Sequence, residues 1–171
     1  EALHEAYEEA YDAWRDKLRA AEGSKERREL RKLEPTVLFR PRFEALANGG
    51  SGRALVWLVK KVSKLEKRKQ VPALKEEWYG RLFKDYLDAE WFGDVIGMYT
   101  KERRDVSAET IELTLASALE RSEGDARARV LLGLARYRLA GKCNSGLDFY
   151  KELLAEHPDS SAAKTAQVEY D

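Results

Sequence analysis

The chain has 171 residues, 43% of them hydrophobic and 36% charged, with only 11 Gly and 4 Pro; this balance suits helices with one buried stripe and one wet face and excludes a disordered polymer. Its 31 Lys and Arg against 31 Asp and Glu cancel to a formal net charge of zero, which removes the long-range field that non-specific nucleic-acid and anionic-membrane binders use. The single cysteine, Cys143, cannot form an internal disulfide, and the longest apolar run, Ala54 to Val59, falls far short of the about 20 residues a membrane span needs.

The sequence starts at Glu1 rather than Met, as expected where an export signal, a lipid anchor or a preceding domain has been removed. Tyr7, Tyr11, Trp14 and Leu18, with alanines between them, recur at helical spacing and predict a long amphipathic first helix that Gly23 interrupts. Ser24 is placed to cap a short charged segment, Lys25 to Leu33, which Pro35 stops. Pro41 suits the first turn of a helix carrying Phe43, Leu46 and Ala47, ending at Asn48, Gly49 and Gly50. Ser51 or Gly52 opens the next helix, Arg53 to about Leu65, whose run through Leu55, Val56, Trp57, Leu58, Val59 and Val62 predicts a central position.

Lys64 to Gln70 reads as a basic connection, and Pro72 opens a helix with Leu74, Trp78, Leu82, Phe83 and Tyr86, followed by a shorter one through Trp91, Phe92, Ile96 and Tyr99. Ser107 caps a helix through Ile111, Leu115 and Leu119 that Gly124 ends; Asp125 caps Ala126 to about Ala140, which Gly141 closes. Gly146 to Glu156 and Ser160 to about Glu169 make the last two helices, and no stretch alternates with the period of two of a half-buried strand. Helix pairs open near Thr36, Pro72, Ser107 and Ser145, a spacing of about 35 residues that matches helical repeat arrays.

From Tyr137 onward, Tyr137, Gly141, Gly146, Tyr150, Leu153 and Pro158 stand at the offsets of a tetratricopeptide repeat, which this segment resembles. Leu132 and Gly133 resemble that repeat's Leu-Gly pair one residue out of register. A second resemblance runs through Pro35, Phe39, Pro41, Arg42, Phe43, Leu46 and Ala47, then Ala54 to Val59, Ala126 to Leu139 and Tyr150 to Ser160. This pattern is similar to the helical region preceding thioredoxin-like domains in exported planctomycete-type bacterial proteins. The resemblance implies a cell-envelope location and a redox domain beyond Asp171, and it carries no functional residue onto this chain.

The residue types that perform chemistry are scattered. His4 and His157 each lie in a polar setting without a neighbour to orient them as a base. Cys143 sits in a loop near a helix start, where a thiol pKa falls, but has neither a second Cys nor a nearby His. Glu5, Glu8, Glu9, Asp12 and Asp16 interleave with Arg15, Lys17 and Arg19 as a solvated face with salt links. Lys60, Lys61, Lys64, Lys67, Arg68 and Lys69 form the densest basic patch, yet lack the interleaved aromatics that hold nucleic-acid bases. Trp78, Tyr79, Phe83, Tyr86, Trp91, Phe92 and Tyr99 are gathered into one helix pair, and since Trp78 and Tyr79 differ by about 100° around the axis, part of the cluster is expected on a concave surface.

The expectation is an all-α, right-handed α-solenoid of stacked helical hairpins, tetratricopeptide-like, with residues 1–34 as an N-terminal helical extension and 35–171 as the repeat domain, the two making one compact unit. Its expected role is a non-enzymatic scaffold that binds a protein, a peptide or a neighbouring domain of a longer chain, without catalytic residues, metal or cofactor, without nucleic acid and without membrane insertion. Trp78, Tyr86, Trp91 and Tyr99 are the expected anchors, and Lys60, Lys64 and Arg68 the electrostatic rim. The alternative is an accessory N-terminal domain of a thioredoxin-like thiol-disulfide oxidoreductase whose catalytic part lies outside this chain.

Overall fold

A computed structural model describes residues 1–170, all of whose regular secondary structure is helical. The helices are α1 (Ala2–Ala20), α2 (Ser24–Lys32), α3 (Pro35–Asn48), α4 (Gly52–Leu65), α5 (Val71–Asp85), α6 (Phe92–Tyr99), α7 (Ala108–Arg121), α8 (Gly124–Ala140), α9 (Gly146–Glu156) and α10 (Ser161–Tyr170). The chain divides into two compact units, Glu1–Val71 and Pro72–Asp171. No helix is long and apolar enough to cross a membrane among the described residues.

In the first unit α4 is central, as its run of apolar residues predicts: Leu55, Trp57, Leu58, Val59 and Val62 are all buried. Ser51 caps it by accepting a hydrogen bond from the Ala54 N–H at 3.3 Å. The Trp57 ring stacks on Phe43 of α3 at 3.9 Å between centroids, and Tyr7 of α1 meets the Trp57 ring edge-on at 5.1 Å. Tyr7 is the one buried residue of α1, and its hydroxyl lies 3.2 Å from that of the buried Thr36. The residues expected as an extension are thereby packed onto α3, with Trp14 donating to the Leu30 carbonyl at 2.7 Å to hold α2 beside α1.

The structure moves one boundary substantially. Pro35, expected to stop a helix, occupies the first turn of α3, and Pro41, expected there, lies inside it. An interior proline costs a helix about 3 kcal/mol because it removes one backbone donor and crowds the preceding turn. Pro41 is exposed, and burial of Phe43 and Ala47 on the opposite side offsets that cost.

The second unit is organised by α8, which packs against α6, α7, α9 and α10. Val130, Leu131, Leu132, Leu134 and Ala135 are buried around its whole circumference, the pattern of a helix enclosed on all sides. Two glycines set how closely its neighbours approach: a Cβ on Gly133 would lie 2.2 Å from Ile96 Cγ2 of α6, and one on Gly146 of α9 would lie 2.8 Å from the Ala135 carbonyl oxygen. The terminal core joins Leu131 and Ala135 to Tyr150, Leu153, Ala162, Ala163 and Ala166.

Helices α5 and α6 pack through rings, with Phe83 edge-on to Phe92 at 5.0 Å and Tyr79 against Tyr99 at 4.7 Å. Beside them Lys75, 6% exposed, donates to Glu102 at 2.5 Å and Asp105 at 2.6 Å, and Tyr79 donates to the other oxygen of Glu102 at 3.2 Å. Helix α8 begins one residue before the expected Asp125 cap, at Gly124, whose φ of 50° lies in the left-handed region that favours glycine.

Ser107 caps α7 as its sequence predicts, accepting from the Thr110 N–H at 3.0 Å while its hydroxyl lies 2.7 Å from that of Thr110. Ser107→Ala is expected to lower stability by about 1 kcal/mol, read as a lower urea midpoint at unchanged slope.

Candidate functional site

The second unit carries a concavity of about 320 Å³ along α6, α8 and α10. Gly93, Gly97 and Thr100 share one face of α6; Arg129, Leu132, Gly133 and Arg136 share one face of α8; Ser161, Ala162 and Thr165 come from α10. Trp91, Glu90 and Asp94 at the start of α6, with Ile96 further along it, complete the lining. Glycine at 133 brings α6 close to α8, and nothing stands within 4 Å of where a Cβ on Gly97 would lie, so the surface there is open backbone. The floor is thus short-sided and the walls carry charge.

The two arginines have different roles. Arg136 is committed to Glu169: its Nε donates to Oε2 at 2.9 Å, its Nη2 donates to Oε1, and Tyr150 donates to Oε2 at 2.8 Å. The guanidinium holds the Glu169 carboxyl below the usual carboxylate range, and burial together with that carboxylate pushes the Tyr150 phenol up to about 12. Arg129 pairs with no carboxylate among the described residues. Its stem lies across Gly93, 3.3 Å from where a Cβ would sit, its Nη2 donates to the Asp88 carbonyl at 3.3 Å, and its Nε is buried without an acceptor among the described residues.

A second concavity, of about 600 Å³, lies in the first unit among α1, α3 and α4, with Leu3, His4, Phe43, Leu46, Val56 and Lys60 in its lining. His4 stands 3.8 Å from Glu8, and both side chains are more than half exposed. No group of three or more His, Cys, Asp or Glu is placed to hold a metal among the described residues.

The residues singled out from the sequence distribute unevenly. Trp91 lines the cavity of the second unit, and half-buried Tyr86 stands against it at 5.9 Å between rings. Trp78 and Tyr99 are 6% and 3% exposed, so both face the core of their unit rather than a concave surface. Trp78 and Tyr79, about 100° apart around the axis, are both covered, Tyr79 being 1% exposed, because α5 is buried on two sides; the members of the aromatic cluster left half-buried are Tyr86 and Trp91. Lys60 lines the cavity of the first unit, Lys64 is tied to Glu34 and the Tyr11 hydroxyl at 3.2 Å each, and Arg68 is exposed after α4. The aromatic set belongs to one unit and the basic set to the other.

Sequence reasoning missed Arg129, Gly93 and Gly97. Their signal is a four-residue step on two helices, Gly93 to Gly97 and Gly133 back to Arg129, which becomes legible only once α6 and α8 are known to be neighbours.

Cys143 is exposed in the turn before α9, with its Sγ 3.0 Å from the Ser145 hydroxyl, which also accepts from Arg138 at 3.0 Å. Hydrogen bonding from the Ser145 side chain, then from its backbone N–H, holds the thiol below its ordinary value, with Arg138 adding in the same direction. Because a lowered pKa enlarges the thiolate fraction near neutral pH, alkylation by iodoacetamide is expected to follow a pH profile displaced below that of a cysteine in an unstructured peptide. Ser145→Ala is expected to move the profile back up, read by mass spectrometry of the alkylated chain.

No family model matches the chain, and neither does any curated protein or solved structure.

Proposed function

We infer that the protein is a non-enzymatic binding scaffold of stacked helical hairpins, and that its second unit takes an extended polypeptide segment, from a partner or from a flanking part of a longer chain, along α6, α8 and α10. In this reading α5/α6, α7/α8 and α9/α10 are successive hairpins stacked in the right-handed sense of tetratricopeptide arrays, with the second helix of each forming a shared layer. The supporting observation is the open concavity itself: small residues keep its floor low, and a large aromatic, Trp91, stands in its wall. An open groove along three helices seats the side chains of a peptide lying across it.

The test is selection of peptides from a random dodecamer library displayed on phage, against the full chain, followed by titration of the synthesised winners. Trp91→Ala is expected to weaken their binding about tenfold or more with an unchanged far-ultraviolet circular dichroism spectrum. Winners that bind the Trp91→Ala chain as well as wild type, or a library that yields none, contradict this reading.

A further inference from the structure

The cavity of the second unit holds three charges that enter no ion pair among the described residues: the guanidinium of Arg129 and the carboxylates of Glu90 and Asp94. Arg136, in the same lining, is by contrast matched to Glu169. Arg129 is also held in place. Its stem rests on Gly93, its Nη2 is anchored on the Asp88 carbonyl, and the buried Nε–H is left over. A fixed fork with a spare, desolvated donor is best satisfied by a planar acceptor such as a carboxylate. Glu90 and Asp94, both exposed near the start of α6, repel a run of acids and attract a cation.

We propose that this groove recognises a mixed-charge polypeptide segment, in which an Asp or Glu side chain docks on Arg129 while a Lys or Arg a few residues away faces Glu90 and Asp94. The proposal rests on the peptide-binding reading above and adds the charge pattern of the ligand. Gly93 lets the Arg129 stem lie close: a Cβ there would stand 3.3 Å from Arg129 Cδ and shift the stem by a few tenths of an ångström.

The experiment uses the dodecamers selected on the full chain, resynthesised with each acid replaced by Gln or each base replaced by Gln, and titrated by fluorescence anisotropy at low and at elevated salt. The expected winners carry an acid and a base within a few residues of each other. Loss of the acid is expected to weaken binding about tenfold to wild type but little to Arg129→Gln, and loss of the base to weaken it similarly to wild type but little to Glu90→Gln/Asp94→Asn. Arg129→Lys, which keeps the charge and loses the fork, is expected to fall between, and circular dichroism confirms that each variant is folded. Added salt weakens the wild-type complex and has less effect on the variants.

Winners whose binding needs Trp91 but is indifferent to Arg129, Glu90 and Asp94 overturn the charge pattern and leave the scaffold reading standing. A library that yields no binder overturns both. Competition by millimolar free arginine or glutamate as effective as by the dodecamers overturns the assignment to a polypeptide.

Discussion

Lys75→Met is expected to cost about 3 kcal/mol of folding stability, at the lower end of the range for breaking a buried ion pair, because the two carboxylates left behind retain some access to solvent. Methionine keeps the length and packing of the lysine stem, so the loss reports the charge rather than a void. The side chain of Lys75 is 8% exposed and those of Glu102 and Asp105 are 19% and 20% exposed, which places an ammonium between two carboxylates in a partly dry site. Burial by itself lowers a lysine pKa; the hydrogen bonds with Asp105 and Glu102 overcome that and hold Lys75 above its ordinary value. The folded-state pKa being the higher one, this contribution is complete below the unfolded-state lysine pKa and is lost as pH rises through the folded value, so it erodes only in strong alkali.

The same cluster supplies its own control. Lys75→Met/Glu102→Gln/Asp105→Asn removes all three charges at nearly constant volume, and urea unfolding is expected to show the triple variant more stable than Lys75→Met alone. Equal loss in the single and triple variants would mean that the packing of the stem, not ionic pairing, fixes this corner where α5 meets the segment after α6.

Lys75 also marks where the sequence stops being readable. In the run Leu74, Lys75, Glu76, Glu77 it has the spacing of an ordinary surface lysine, and the acids that bury it lie 27 and 30 residues further on. Local signals fared better: the hydroxyls of Ser51 and Ser107 announce their caps because both the donor and the acceptor lie within three residues. Helix α4 announces its burial by an unbroken apolar run. The start of α3 was misread because Pro35 and Pro41 are both acceptable at a first turn, and only the packing of Thr36 on Tyr7, 29 residues away, selects the earlier one. Of the candidate site, Trp91 was legible as a large aromatic in a short helix. The partial exposure of Trp91 and the burial of Trp78 and Tyr99 were not, since rings at these spacings differ only in what the neighbouring helices cover.

Gly146→Ala should lower stability by about 2–3 kcal/mol, the upper part of the range for an overpacked core, although alanine is ordinarily the better helix former. The new Cβ would lie 2.7 Å from Leu139 Cγ, 2.8 Å from the Ala135 carbonyl oxygen and 3.0 Å from the Leu139 backbone nitrogen. Two of those atoms are backbone of α8, so rotating a side chain cannot relieve the contact and α9 must draw away along the seam that Tyr150 and Leu153 close. Gly133→Ala presses on a side chain instead, the Ile96 methyl at 2.2 Å, and replacing β-branched Ile96 with leucine in the same chain is expected to recover much of its smaller loss. Gly80 gives the opposite sign: it lies inside α5, exposed, with nothing within 4 Å of an added Cβ, so Gly80→Ala is expected to gain about 0.5–1 kcal/mol from helix propensity alone. Thermal melts of the three single variants should therefore order Gly80→Ala above wild type, then Gly133→Ala, then Gly146→Ala. Gly146→Ala melting at or above wild type would mean that α9 does not sit on α8 as closely as a bare glycine allows.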